Sequence, residues 1–477
     1  TTNAREYLAQ VVDKLGSQIP PINETQTNLI VTLLNRYEER RVQLVEGAAG
    51  TGKTTCLVLT LLTAELMGLR PLVTAPTHKA VGVLRSKMTA LGYAMPTFCT
   101  IHSALKLKPT KQIPGQPEKF QQQGVPDLGG YDFIVIDECS MIGDSEWYYI
   151  QEAVNSFGIP LILSGDPYQL QPVGKRGKSE TFSVTPRYVL KEVVRHGGAI
   201  LDVATKIRTL KYCLPIEPQV SAQSSIFTFH EKDKFMKKWF DSLVSATDDT
   251  VLLCYMNKHR KQFNQLAVHR LHSGRKVQYA PGDTVVALTT YERDGTILLA
   301  NNQVVQIQEA TLIPSIRPVA ALDYTFDVWR ISTEDGIEFY TLDNASIEFH
   351  TKACQALSRE IKKTAKSIDK ALAELPKGSF QAVSLMEKAT QNRRNWSRLF
   401  FPLKEAFAEV DFPYASTIHK SQGSTFENVF IYPDYLSARS EKFNLQYVAV
   451  TRASRTLSVL TPGSQTGAEE EQGTSGA

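Results

Sequence analysis

Gly47-Ala48-Ala49-Gly50-Thr51-Gly52-Lys53-Thr54 follows the pattern G-x-x-x-x-G-K-[ST]. The run before it, Val42-Gln-Leu-Val45, predicts a buried strand, and Cys56-Leu-Val-Leu-Thr-Leu-Leu62 predicts a helix opening straight from the loop. That strand–loop–helix order is the context the pattern needs. Glycines let several N–H groups converge on one point, and the helix N-terminus adds partial positive charge. Lys53 is then placed to reach the β- and γ-phosphates and the Thr54 hydroxyl to ligate Mg²⁺, with Thr55 completing the cradle. The stretch predicts an α/β domain that binds a nucleoside triphosphate.

The chain has 477 residues, 42% hydrophobic and 21% charged, with a net charge of +4. A domain is typically about 150 residues, so two to four are expected. No uncharged apolar run reaches the roughly 18–20 residues of a membrane span, and the first residues lack the pattern of a signal peptide. The six cysteines are scattered without a C-x-x-C pair, which argues for a reducing compartment and against a zinc or disulfide framework. The expected location is cytoplasmic, with no membrane partner. The small positive charge permits a nucleic-acid partner if the basic residues cluster.

Outward from the loop, apolar runs at Pro71–Ala75, Phe133–Ile136 and Leu161–Ser164 alternate with helical patterns, predicting a parallel sheet with ligands at its C-terminal edge. Lys106–Gly130, rich in proline and glycine, has little to bury and is expected to protrude. A second α/β segment begins near residue 197. Short β-rich runs from 281 to about 348 suggest a small barrel. Two long helical patterns follow, about Thr351–Glu374 and Ser379–Phe400, before the α/β texture returns near Tyr414. The polar tail after 463 is expected to be disordered.

Phe133-Ile-Val-Ile-Asp137-Glu138 places two acids at a strand end. Asp137 suits the metal and Glu138 the attacking water. The next strand ends in Leu163-Ser-Gly-Asp166-Pro-Tyr-Gln169, where a glutamine can hydrogen-bond a γ-phosphate.

Together these stretches resemble motifs I, II and III of superfamily 1 helicases. Ala75-Pro76-Thr77-His78-Lys79-Ala resembles motif Ia, Thr100-Ile-His102-Ser103 motif Ib and Val193-Val-Arg195-His motif IV. Tyr414-Ala-Ser416-Thr417-Ile-His419-Lys420-Ser-Gln-Gly423 resembles motif V, and Tyr447-Val-Ala-Val-Thr-Arg452 motif VI. The wording is closest to the RecD/Dda-like branch, superfamily 1B, and to its Dda-type phage helicases. The resemblance implies two RecA-like α/β domains, with the triphosphate identified as ATP. The boundaries it suggests are 1–103 with 131–196 for the first domain and 197–280 with 411–462 for the second. It implies a pin at 104–130, and an SH3-like β-barrel with a helical arm at 281–410.

It also assigns roles. Gln26, in Asn23-Glu-Thr-Gln26, reads the adenine edge, while Asn23 can equally cap a helix. Arg195 and Arg452 stabilise charge on the transferring phosphoryl group, joining Lys53, Asp137, Glu138 and Gln169 as the catalytic set. Thr425 stands where many relatives carry a glutamate that contacts the ribose, so that contact is not carried over. Pro76, Thr77, His78, Lys79, Thr100, His102 and Ser103 on one domain, and Ser416, Thr417, His419 and Lys420 on the other, form the expected track for single-stranded DNA. Phe120, in the pin, is a candidate to stack on the last base pair of a DNA fork. The expected activity is 5′→3′ translocation with unwinding, or, as the alternative, DNA-stimulated translocation that displaces proteins without efficient unwinding. A monomer suffices, and replication or recombination proteins are possible partners.

Overall fold

The structure, a computed structural model, describes residues 3–39, 41–48, 50–93, 97–109, 120–172, 177–191, 198–245, 249–273, 275, 277–293, 296–373 and 379–461. The chain divides into two compact units. One holds the residues up to Lys106, Gly124–Ser273 and those from Pro413 onward. The other holds Leu107–Gln123 and Gly274–Phe412. The expected sites Ala49 and Arg195, and the tail from 463, lie outside the described residues.

The first unit contains two six-stranded sheets. In the first, Val42–Gly47 is flanked by Leu161–Gly165 and Arg187–Leu190; Phe133–Ile136, Pro71–Ala75 and Thr97–Thr100 continue outward, all pairs being parallel. Phe133, Ile134, Val135 and Ile136 are all buried, as expected for a strand covered on both faces. The helix Lys53–Leu66 is buried nearly all round, from Cys56 to Ala64. It lies under two N-terminal helices, Ala4–Leu15 and Glu24–Asn35, whose Leu8, Val11, Ile30, Leu33 and Leu34 join its core. Each such side chain contributes about 1.5–3 kcal/mol on burial. The N-terminal pair is therefore part of what holds the phosphate loop's helix rigid.

The second sheet runs Ala415–Thr417, Thr250–Cys254, Phe426–Ile431, Ala453–Leu460 and Ser225–Phe229 in parallel. The short strand Gln219–Val220 is added antiparallel at one edge. Helices Ala199–Leu210 and Lys442–Thr451 cover one face, where Ile207, Leu445 and Val448 are buried. Trp239 and Phe263, from the helices Lys232–Val244 and Asn257–Leu271, are buried on the other.

The second unit is built on a five-stranded antiparallel sheet in the order Glu338–Leu342, Phe326–Thr333, Val304–Ile316, Thr284–Ala287, Val410–Asp411. A separate hairpin is formed by Tyr291–Arg293 and Thr296–Leu299. Two long helices follow, Asn344–Ala373 and Phe380–Lys404. Ala353, Leu357, Ile361, Phe400 and Leu403 bury their inner faces against Phe326 and Val328. The first begins earlier than the apolar periodicity suggests, because Asp343 accepts from the Ala345 amide at the helix start. A small antiparallel hairpin, Leu107–Pro109 with Phe120–Gln122, belongs to the same unit. The turn joining its strands lies outside the described residues.

All six cysteines are free. Among the described residues no helix is long and apolar enough to cross a membrane, and no cluster of three or more His, Cys, Asp or Glu side chains is placed to hold a metal ion by itself.

Candidate nucleotide site and nucleic-acid track

The phosphate loop leaves its strand at Gly47 and enters its helix at Lys53. Gly50 and Gly52 take φ of 84° and 83°, which only glycine adopts without strain. A Cβ at Gly52 would lie 2.4 Å from Gln26 Nε2, and one at Gly47 would lie 2.5 Å from Thr51 Oγ1. The loop is therefore closed tightly over glycine. Thr51 is buried, whereas Lys53, Thr54 and Thr55 are half-exposed at the mouth. The Lys53 ammonium donates to the carbonyls of Gly47 (2.5 Å) and Ala48 (3.1 Å), folded back over its own loop.

Gln26 is buried and has two tasks. Its side-chain oxygen accepts from the Asn23 amide (3.1 Å) while Asn23 Oδ1 accepts from the Gln26 amide (2.8 Å), a complete capping box. Its Nε2 donates to the Thr51 carbonyl inside the phosphate loop (3.1 Å). The cap and the loop are thus one hydrogen-bonded piece.

Asp137 stands just past Ile136, and its Oδ1 accepts from the Ser164 hydroxyl (2.8 Å). Burial raises its pKa, opposed by that hydrogen bond and by Lys53. Glu138 adopts a left-handed φ of 54°, uncommon for a residue with a Cβ. Its Oε2 is buried without a hydrogen-bond partner. Burial, and then the charge of Asp137, push its pKa up to about 7, against the pull of Lys53 and Arg452. A carboxyl poised near neutrality with a free oxygen is what a general base for water requires. The donor set fits a metal triphosphate: the Asp137 carboxylate, the Thr54 hydroxyl and a glycine cradle. Lys53, Thr54 and Asp137 would hold it, and Mg²⁺ would supply charge neutralisation at the phosphates.

Arg452, just before the strand Ala453–Leu460 of the second sheet, acts on this cluster through its charge. It is buried, with Nη1 donating to the Ser424 carbonyl (2.9 Å), Nε to the Val448 carbonyl (3.2 Å) and Nη2 to Thr451 Oγ1 (3.2 Å). Its charge is felt by both Glu138 and Lys79. Gln169 is also buried, and its Oε1 accepts from Gln422 Nε2 (3.0 Å). Around it the Tyr447 hydroxyl donates to Asp166 Oδ2 (2.6 Å), and Asn444 Nδ2 donates to the Tyr168 carbonyl (2.9 Å). The segment Asp166–Gln169 is therefore pegged to the second sheet by three side chains. Ser164, Gln422, Asn444 and Tyr447 were not picked out as site residues from sequence. Gln422 and Tyr447 stand inside the motif V and VI strings, where their identity carried a signal; Asn444 lies in no motif.

The expected nucleic-acid residues fall into distinct groups. The hydroxyls of Thr77, Thr100 and Thr417 each accept from the backbone amide three residues on, of Ala80, Ser103 and Lys420 at 3.2, 3.2 and 3.3 Å, and Thr100 and Thr417 are buried. All three cap turns. The recurrence of Thr-x-His thus has a shared local geometry behind it. His102 is half-buried 3.5 Å from Glu146, and His419 lies 3.7 Å from Glu441, its pKa lowered by burial against the pull of that acid. Lys79 stands apart from the others. Its ammonium sits 5.5 Å from the centre of the Phe426 ring, and burial with the charge of Arg452 pulls its pKa down to about 8, opposed by Asp249. It faces the second sheet at the nucleotide side. Pro76, Ser416 and Lys420 are half-buried, while His78 and Ser103 are exposed. Phe120, in the small hairpin of the other unit, is half-buried.

Two α/β sheets in one compact unit, the first carrying the phosphate-loop pattern and a buried acid pair and the second an arginine whose charge Glu138 feels, make an arrangement of the P-loop ATPase kind. The AAA domain family matches residues 21–211, and the UvrD-like helicase C-terminal domain matches residues 412–460. The ATP-dependent DNA helicase dda of Enterobacteria phage T4 is 25% identical over 465 residues, covering 90% of this chain and 97% of that protein. The ATP-dependent RecD2 DNA helicase of Deinococcus radiodurans is 30% identical over 142 residues, 30% of this chain and 18% of its own length. Among solved structures, a Bacteroides Pif1 helicase in complex with ADP-AlF3 and single-stranded DNA aligns over 92% of both chains at 16% identity, with a TM-score of 0.46. The chain is thus similar to the Dda-like and RecD-like DNA helicases of superfamily 1B.

Proposed function

We propose that this protein is an ATP-dependent DNA helicase that moves 5′→3′ along single-stranded DNA and separates duplex ahead of it. The observation that carries the reading is the pegging of Asp166–Gln169 to Gln422, Asn444 and Tyr447, beside a buried Glu138 that feels Arg452. A static nucleotide-binding scaffold or a phosphotransferase has no use for a second sheet wired to the γ-phosphate side of its site. The match to the phage T4 helicase over nearly the full length of both proteins supports DNA as the track.

In this reading Lys53 would exchange the carbonyls of Gly47 and Ala48 for the phosphates of bound ATP, and Glu138 would take a proton from the attacking water. Arg452, with Arg195 as its expected companion, stabilises charge on the phosphoryl group. Loss of the γ-phosphate is transmitted through Gln169 to Gln422. Pro76, His78, Ser103, Ser416 and Lys420 supply the grip, positioned by the capped turns at Thr77, Thr100 and Thr417. His102 and His419 order those turns through Glu146 and Glu441. Polar groups of this kind suit the sugar–phosphate backbone and give no sequence preference. We read the hairpin carrying Phe120 as the pin, and the five-stranded sheet, as an SH3-like barrel with its helical arm, as the pin's brace.

The test is strand separation with ATP and Mg²⁺ on matched duplexes bearing a 5′ or a 3′ single-stranded tail. Unwinding from the 5′ tail alone is expected. Unwinding from the 3′ tail alone rejects the polarity. ATPase indifferent to single-stranded DNA rejects the motor.

A further inference from the structure

Three cations from two separate stretches converge on one tyrosine. Lys178 Nζ lies 5.2 Å, Arg208 Cζ 4.9 Å and Lys211 Nζ 5.8 Å from the centre of the Tyr168 ring. Tyr168 follows the strand Leu161–Gly165 of the first sheet. Arg208 sits in the last turn of the helix Ala199–Leu210, packed on the second sheet, and Lys211 is that helix's C-cap at a left-handed φ of 60°. The cluster therefore draws on both sheets of the first unit.

The nearby acid does not balance it. Asp166 Oδ1 is 4.0 Å from Arg208 Nε. That carboxylate already accepts from the Tyr447 hydroxyl and, at 3.1 Å, from the Tyr168 amide. Arg208 Nε is buried with no hydrogen-bond partner, while Lys178 and Lys211 are exposed. Three positive charges around one ring repel one another, and a buried guanidinium N–H without an acceptor is costly. An anion with several acceptor oxygens removes both penalties. The ring beside them offers a flat apolar face for a sugar or a base.

We propose that Lys178, Arg208, Lys211 and Tyr168 form a phosphate-binding site for single-stranded nucleic acid, in addition to the track through motifs Ia, Ib and V. The site deepens the helicase reading and rests on it. Its place has a mechanical consequence. The carbonyl of Tyr168 is held by Asn444, and the next residue, Gln169, is held by Gln422. A phosphate seated here touches the same segment that connects the γ-phosphate side of the nucleotide site to the second sheet.

The experiment is titration of a fluorescein-labelled oligothymidylate by fluorescence anisotropy, without nucleotide, across a range of NaCl concentrations. It compares the full chain with the double variant Lys178→Gln/Lys211→Gln. Each lost phosphate contact on a single strand reduces the slope of log affinity against log salt by about 0.7, so a loss of about 1.4 is expected. That corresponds to roughly 10–30-fold weaker binding at 0.1 M salt, with thermal midpoint and DNA-free ATPase unchanged. Lys178→Arg/Lys211→Arg is expected to keep both slope and affinity. Unchanged slope and affinity in the glutamine variant overturn the site. A lowered thermal midpoint with unchanged affinity also overturns it, since the cluster would then be a structural clasp. A wild-type chain that fails to bind the oligomer overturns the helicase reading itself.

Discussion

Replacing Glu138 with glutamine is expected to stabilise the protein while it abolishes turnover, and the gain is expected to depend on pH. The carboxyl is buried beside Asp137 and has its pKa pushed from 4.5 up to about 7. A carboxyl with a raised pKa in the folded state makes the charged form the costly one. The cost is absent below about pH 4.5, grows between 4.5 and 7, and is full above that window. At about 1.4 kcal/mol per pKa unit it approaches 3 kcal/mol at pH 8 and falls below about 1 kcal/mol at pH 5. A glutamine keeps a buried amide in place of the charge and so recovers about half, roughly 1–2 kcal/mol at pH 8. For a compact unit of roughly 300 residues that is a thermal midpoint about 1–3 °C higher. The assay is calorimetry or fluorescence melting of the nucleotide-free protein in EDTA at pH 8 and pH 5, with ATPase measured in parallel under Mg²⁺. ATPase is expected to fall about 10²–10⁴-fold with the general base gone. A variant no more stable than wild type at pH 8, or a gain of equal size at both pH values, refutes the reasoning.

Three further outcomes follow from particular contacts. Tyr447→Phe leaves the buried Asp166 carboxylate short of its 2.6 Å donor. It is expected to cost about 2 kcal/mol and to reduce DNA-stimulated ATPase more than basal ATPase, as read by a DNA titration of the rate. Asn23→Ala breaks the capping box that fixes Gln26 against the Thr51 carbonyl. About 1 kcal/mol of stability is expected to go, and KM for ATP is expected to rise several-fold with kcat little changed, which steady-state kinetics separates. Phe120→Ala is expected to leave DNA-stimulated ATPase intact and impair unwinding of a tailed duplex; equal loss of both rejects the pin.

The two-step geometry of the site has a functional corollary. Lys53 folded onto its own loop carbonyls and Glu138 with an unpartnered oxygen are both groups waiting for a ligand. Gln169 and Asp166, by contrast, already hold hydrogen bonds to Gln422 and Tyr447. Nucleotide binding is therefore expected to act on the first pair and to reach the second sheet through these existing hydrogen bonds.

The sequence by itself marked the candidate nucleotide site. The phosphate loop, the Asp-Glu pair and the strands that carry them are local: a few consecutive residues with the right backbone freedom, charge and apolar flanks. Local patterns are what a linear sequence records. It also placed the helical arm and the β-rich insertion, because periodicity of two or 3.6 survives without knowledge of neighbours. Tertiary structure decided which long-range partners each side chain meets. Thr100 and Thr417 became buried caps, Gln26 a link between cap and loop, and Lys79 a neighbour of Phe426 and Arg452. The pairs Gln169–Gln422 and Asp166–Tyr447 join residues 253 and 281 positions apart. No pattern in the chain forecasts such a pair, because only the packing of two sheets in one unit brings those side chains within hydrogen-bond reach.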